Sequence, residues 1–350
     1  MTNILKISKR VDYKNLSLLS GNMSRLLESG VNIIKVFEIL IELPIRNQYK
    51  VSLLEIKELI KEGKSLEEAF SKHKEIYPKQ FIGMLSIGEK NGTLSRTLKS
   101  LEVYYDKLSY IKTSIINSIS YPIILLIAIS FLLLFIIFFL IPNLDGFYNG
   151  LELEKPMIIR NTKSLVDFIK NKPVISLIYI LIWGIIIPFS ILKSINIKRF
   201  FKVFRKIKLI KDFNELIFIY TLNVIVKSGG NLTIGLQYSK ESFINTPLSE
   251  RFSRLNENIL QGFSLYESFN KDDVYSNYTL SIIKISEEGG SIEEGLESLS
   301  KYLEINYLNG INKALSMIQP SLVILMGFLV VIFIMVFILP IVNSIFESGF

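Results

Sequence analysis

Few side chains in this 350-residue sequence could do chemistry. Acidic residues gather at Glu287, Glu288, Glu293 and Glu294, in "KISEEGGSIEEGL" (284–296). Glu89 stands in a similar phrase, "SIGEKNGTLSRTL" (86–98). Paired carboxylates can hold a hard cation or divide acid and base roles. They can also complement helix N-termini beside flexible glycine turns, and this plainer reading is preferred to catalysis. A metal cluster or a nucleophile–histidine pair needs imidazoles or thiols at set spacings. The chain has no cysteine and a single histidine, His73, in the charged run "SKHKEIYPK", where an exposed surface position is expected. Gly88 to Gly92 is too short for a phosphate loop and lacks the Lys-Ser/Thr pair that follows one. The expectation is a non-enzyme without cofactor or metal, any ATP hydrolysis being supplied by another protein.

The positioning elements point to a membrane. Hydrophobic residues make up 49% of the chain, and three runs of 19 residues carry no charge: 123–141, 174–192 and 321–339. Each is long enough to cross a hydrocarbon core of roughly 30 Å. A buried core helix is seldom apolar on every face for that length. Asp, Glu, Lys, Arg and His are absent from all three runs, which counts against a proton- or ion-coupled carrier. Residues 1–25 show no sustained apolar region or small-residue cleavage site, so no secretory signal is expected.

Lysine and arginine set the orientation. Eight follow the second span (Lys193, Lys198, Arg199, Lys202, Arg205, Lys206, Lys208, Lys211), against five before it. Lys301 and Lys313 precede the third span and no basic residue follows it. This places 1–122 inside, 142–173 outside, 193–320 inside and 340–350 outside. The basic run beside a membrane helix suits lipid headgroups, and the formal charge of +8 does not mark a nucleic-acid binder.

The two acidic phrases belong to a larger repeat. At an offset of 199, Ser29, Gly30 and Asn32 return as Ser228, Gly229 and Asn231, and Gly63, Ser65, Leu66 and Phe70 as Gly262, Ser264, Leu265 and Phe269. At 198, Glu89, Gly92, Leu98 and Tyr104 return as Glu287, Gly290, Leu296 and Tyr302. Pro122 and Pro142, bracketing the first span, match Pro320 and Pro340, bracketing the third. A direct copy of a domain plus one crossing would begin on the wrong side, so the middle span returns the chain. Apolar residues at helical spacing, such as Leu16, Leu19, Met23, Leu26 and Leu27, predict about six helices per bundle. Ser65/Glu68, Ser264/Glu267 and Ser291/Glu294 read as capping boxes, and Asn32 and Asn231 as N-caps.

Three features then resemble a known family. They are the "SG-x-N" turn (Ser29–Ile33 and Ser228–Leu232), a "G-E-x-x-G-x-L" turn (Gly88–Leu94, altered at Ser286–Ile292) and "YP" opening the first span (Tyr121, Pro122). Duplicated in this order over roughly 16–345, they resemble the type II secretion system F family, whose members are inner-membrane platforms of type IV pili, type II secretion and DNA-uptake pseudopili. The resemblance implies an all-α membrane protein with two cytoplasmic six-helix bundles and three transmembrane helices, forming an oligomeric base. It implies as partners a cytoplasmic hexameric ATPase, pilins or pseudopilins, and other membrane assembly proteins. In length the chain is nearer to the short competence-type members. Ser286 and Ile292 stand where the first copy has Gly88 and Leu94, and "QP" (Gln319, Pro320) replaces "YP", so the copies need not act equally.

On this reading Glu89, Gly92, Glu287 and Gly290 are candidates for partner docking, with Ser29, Gly30, Ser228 and Gly229 as bundle-shaping turns. The alternative is a multi-pass transporter or channel component. A membrane-bound hydrolase stands third.

Overall fold

In the computed structural model, residues 11–135, 208–272 and 274–339 are described, with single positions at 143, 146, 148, 150, 342 and 346. The span expected at 174–192, Pro142 and Pro340 lie outside the described residues, as does most of 142–173 and 340–350. The described residues form helices and turns, with no strand among them.

Helix starts follow the polar residues placed to receive free amides. In the first repeat α1 (Tyr13–Glu28) begins at Asp12, whose carboxylate accepts from the Asn15 amide, and α2 (Ile33–Glu42) begins at Asn32, whose side chain accepts from Ile34. Then come α3 (Asn47–Lys61), α4 (Leu66–Ser71), α5 (Lys79–Lys90) and the long α6 (Leu94–Phe135). The second repeat runs through α7 (Lys208–Lys227), α8 (Leu232–Ser242), α9 (Pro247–Leu260), α10 (Leu265–Asn270), α11 (Asn277–Glu288) and the long α12 (Ile292–Phe333), which ends in a π-helical turn at Ile334–Ile338. Asn231 caps α8 as Asn32 caps α2. A complete capping box closes at Ser264 and Glu267, and Ser65 accepts from the Glu68 amide at the matching place.

Three glycine turns per repeat take the left-handed backbone at matching places: Gly30, Gly63 and Gly92, then Gly229, Gly262 and Gly290. An L side chain is strained there, so these glycines fix where each helix ends. The aromatic cores repeat as well. Phe70 and Tyr77 sit edge-on with centroids 4.7 Å apart, and Phe269 and Tyr275, their counterparts, lie 4.4 Å apart.

The chain divides into two compact units. One holds both bundles, Met1–Ser114 and Ile207–Asn309. The other is Ile115–Lys206 with Gly310–Phe350, in which the Ser118 hydroxyl meets the Asn312 side-chain oxygen at 3.2 Å. Leu94–Ile129 and Ile292–Phe333 are long and apolar enough to cross a membrane, the second with mean hydropathy 2.3. Their apolar side chains, including Ile124, Ile127, Ile324 and Phe328, are exposed. An uncovered surface of that kind is what a hydrocarbon solvent would cover. Pro122 and Pro320 sit inside α6 and α12, each removing one helix amide.

Candidate partner-docking surface

Glu89, at the C-terminal end of α5, turns its carboxylate onto the first turn of α4. Both of its oxygens accept from the Leu66 amide, at 3.1 and 3.0 Å. Glu287, ending α11, does the same for α10, accepting from Leu265 at 2.6 Å and Tyr266 at 2.8 Å. A carboxylate on unpaired amides at a helix start makes strong charge-assisted hydrogen bonds. Each acid therefore ties the end of one helix to the start of a short helix that Ser65 or Ser264 caps from the other side. Gly92 and Gly290, both exposed, make the left-handed turn three residues later.

The remaining acids of the cluster disperse. Glu288 faces Lys284 at 4.0 Å, and Glu293 pairs with Arg96 at 2.7 Å. No group of three or more His, Asp or Glu able to hold a metal occurs among the described residues. His73 departs from its expected exposed position. The turn after α4 carries it against α3, leaving 12% of its side chain accessible and Nε2 3.3 Å from the Glu55 carboxylate.

The SG turns differ between copies. Ser29 is exposed and its hydroxyl donates to the Arg25 carbonyl. Ser228 is fully buried and its carbonyl accepts from the Thr93 hydroxyl of the first repeat at 2.9 Å. That bond is part of a seam between the repeats which the sequence did not signal. Tyr238 of α8 lies across Gly83 of α5, where an added Cβ would overlap the ring. The Tyr238 hydroxyl donates to Glu67 at 2.6 Å, and Ser86 donates to the other Glu67 oxygen at 2.6 Å. Burial alone would raise the Glu67 pKa, but the bonds from Ser86, Tyr238 and Lys90 outweigh it and hold the carboxyl below its ordinary value.

Further along, buried Glu304 accepts from Tyr220 at 2.8 Å and pairs with Lys107 at 2.9 Å. Burial, then the Glu304 hydrogen bond, pushes the Tyr220 hydroxyl far above the usual phenol range, so it remains a donor. A partner glycine opposite a tyrosine and a buried glutamate are the signals that could have revealed the seam. Neither repeats in kind: Ser281 stands in the place of Gly83, and an exposed Asp106 in the place of buried Glu304.

A small cleft of about 40 Å³, lined by Arg251, Arg254, Lys271 and Tyr275 among others, has room for a water or two. The arrangement as a whole fixes helices against one another and leaves the turns at Gly92 and Gly290 exposed.

The comparisons with known proteins agree with the duplication. The model of the type II secretion system protein F family matches twice, at residues 19–142 and 218–340. The type IV pilus assembly protein PilC of Pseudomonas aeruginosa is 21% identical, over 94% of this chain and 89% of its own length. The type II secretion system protein F of Xanthomonas campestris is 21% identical, over 89% of this chain and 78% of its own. The protein transport protein HofC homolog of Haemophilus influenzae is 20% identical, over 81% and 73%. With both copies of the family's domain present in one chain, this protein belongs to the type II secretion system protein F family.

Proposed function

We propose that the protein is a non-enzymatic platform in the membrane base of a type IV pilus-like or type II secretion-like machine. The observation that carries this reading is the continuity of α6 and α12. Each runs 42 residues from a bundle turn into an exposed apolar stretch, so each repeat carries its polar bundle and its apolar stretch on one continuous helix. Both bundles face the cytoplasm, with 174–192 crossing back between them. The basic run after that span rests on anionic headgroups. A cytoplasmic hexameric ATPase grips the bundles, and its motion moves pilin or pseudopilin subunits into or out of the membrane. The turns closed by Glu89 with Gly92 and by Glu287 with Gly290 shape the docking surface.

Because the chain has no cysteine, single probes report without background. Cysteines introduced at Lys64 and Gln261, exposed positions of the two repeats, should react with a membrane-impermeant maleimide only from the cytoplasmic face. Labelling of the two from opposite faces removes the proposal. Charge reversal at both Glu89 and Glu287 should then abolish filament assembly while membrane insertion stays normal.

A further inference from the structure

The contact between the repeats is one-sided. The α5–α6 face of the first repeat is covered by α7 and α8 of the second: Tyr238 lies over Gly83, Gly230 against Ile87, and Tyr220 edge-on to Tyr104. A true two-fold would also cover the matching α11–α12 face with α1 and α2. It does not. Residues 81–88 of α5 are buried without interruption, whereas α11 leaves its counterpart face open. Ile87 is 5% exposed and its equivalent Ile285 is 65% exposed. Gln80 and Tyr104, hydrogen-bonded to each other, are 3% and 5% exposed; their equivalents Tyr278 and Tyr302, tilted rings with centroids 3.9 Å apart, are 40% and 39% exposed. On the covering side the difference lies in the first helix: residues 214–222 of α7 are buried throughout, while α1 exposes Leu18, the equivalent of buried Ile217.

A head-to-tail contact used once leaves one unsatisfied face of each kind. We infer that the open α11–α12 face of one chain takes the α1–α2 face of a second copy, repeating between molecules the seam that joins the repeats within one. The internal seam identifies the occupant, because α2 is the sequence and structural equivalent of the helix that covers α5. The equivalences also name the residues that meet. Gly83 with Tyr238 becomes Ser281 with Ile39, a larger residue on one side opposite a smaller one on the other. Ile87 with Gly230 becomes Ile285 with Val31. The ion pair Lys79–Glu241, 3.1 Å apart, becomes Asn277 with Glu42, which can hydrogen-bond. An apolar, aromatic centre with a polar rim is the composition of a specific interface. The resemblance implies an oligomeric base; the two faces that build it are what the geometry adds.

Two differently tagged full-length chains, Val31→Cys and Ile285→Cys, are co-expressed in membranes and exposed to a mild oxidant. The internal counterpart, Ile87→Cys with Gly230→Cys in one chain, is the control and closes a disulfide without gain in mass. The mixed pair is expected to form a cross-linked product carrying both tags, and a chain bearing both Val31→Cys and Ile285→Cys a ladder of multimers. Ser281→Cys with Ile39→Cys should behave likewise, and adding Ile285→Asp should reduce that product by about tenfold or more, because it buries an unpaired carboxylate. The inference is overturned if the control closes and the mixed pair does not. It is overturned equally if Ile285→Cys chains join only to each other, or if they join another protein in place of the Val31→Cys chain. None of these outcomes depends on the sidedness labelling at Lys64 and Gln261, so the interface and the platform reading fail separately.

Discussion

Ser286 packs its hydroxyl against Gly295, so closely that a Cβ on Gly295 would overlap it. In the first repeat the equivalent residues are exchanged: Gly88 faces Thr97, with a built Cβ at Gly88 only 2.8 Å from Thr97 Oγ1. One small and one hydroxyl-bearing residue are kept at this crossing of α5 on α6 and of α11 on α12. The change from glycine to serine in the "G-E-x-x-G-x-L" turn is thus matched nine residues later, and the crossing is preserved.

The first prediction follows from that exchange. Gly295→Ala should destabilise the second bundle by about 1–3 kcal/mol, the usual cost of overpacking a tight site. Ser286→Gly with Gly295→Ala should recover most of it, since contacting residues couple. Thermal unfolding of the purified protein in detergent checks both, and equal loss in the single and double variants would show the two sites to be independent.

The second concerns the carboxylates at the helix starts. Glu287→Ala should cost about 1–2 kcal/mol, the scale of a lost helix cap, because Leu265 and Tyr266 lose their acceptor. Glu287→Gln keeps one oxygen and should lose less. Filament assembly separates the roles. A Gln variant that is folded and inserted but assembles no filament assigns the charge to docking, and one that assembles normally assigns it to the fold.

How far the sequence foretold this molecule can be read from such residues. Capping at Asn32, Asn231, Ser65 and Ser264 and the presence of turns at Gly30 and Gly229, though not their left-handed backbone, were legible because each depends on a few neighbouring residues. The bundles were legible because burying one helix face imposes a period. The seam was not. Gly83 and Tyr238 stand 155 positions apart by their numbers, and no local rule relates them. Glu89 and Glu287 were legible as a repeated pair, and the preferred reading of helix-start complements was right in kind. The sequence did not show that the helix served is the short one preceding each acid. His73 misled for a related reason, since a charged run says nothing of the fold-back that covers it.

The third prediction tests the seam directly. Gly83→Leu should displace Tyr238 from α5, while Gly83→Leu with Tyr238→Ala should restore close approach. The Ile87→Cys/Gly230→Cys pair serves as the gauge: its disulfide should form several-fold more slowly in the single variant and return in the double. Unchanged closure in the Gly83→Leu chain would mean that the ring is not seated there.

The last prediction concerns pH. Bonds from Ser86, Tyr238 and Lys90 favour the charged form of Glu67 and hold its pKa below the free glutamate value of about 4.3. A depressed carboxyl contributes stability that is fully present above the unfolded pKa and is lost as the pH falls through the folded one. Stability should therefore be level near neutrality and fall below about pH 4, as protonated Glu67 loses its ionic acceptor for the Tyr238 hydroxyl and the Lys90 ammonium. Other acids contribute to the same acid limb, Glu102 among them, held low by Lys99 and Arg25 against its burial. The diagnostic is therefore the difference between wild type and Glu67→Gln. The variant should unfold at a lower temperature at pH 7, and the gap should narrow on acidification. A gap that stays constant from about pH 7 to pH 3 would place the Glu67 contribution in packing and not in its charge, because only an ionised acceptor is lost on protonation.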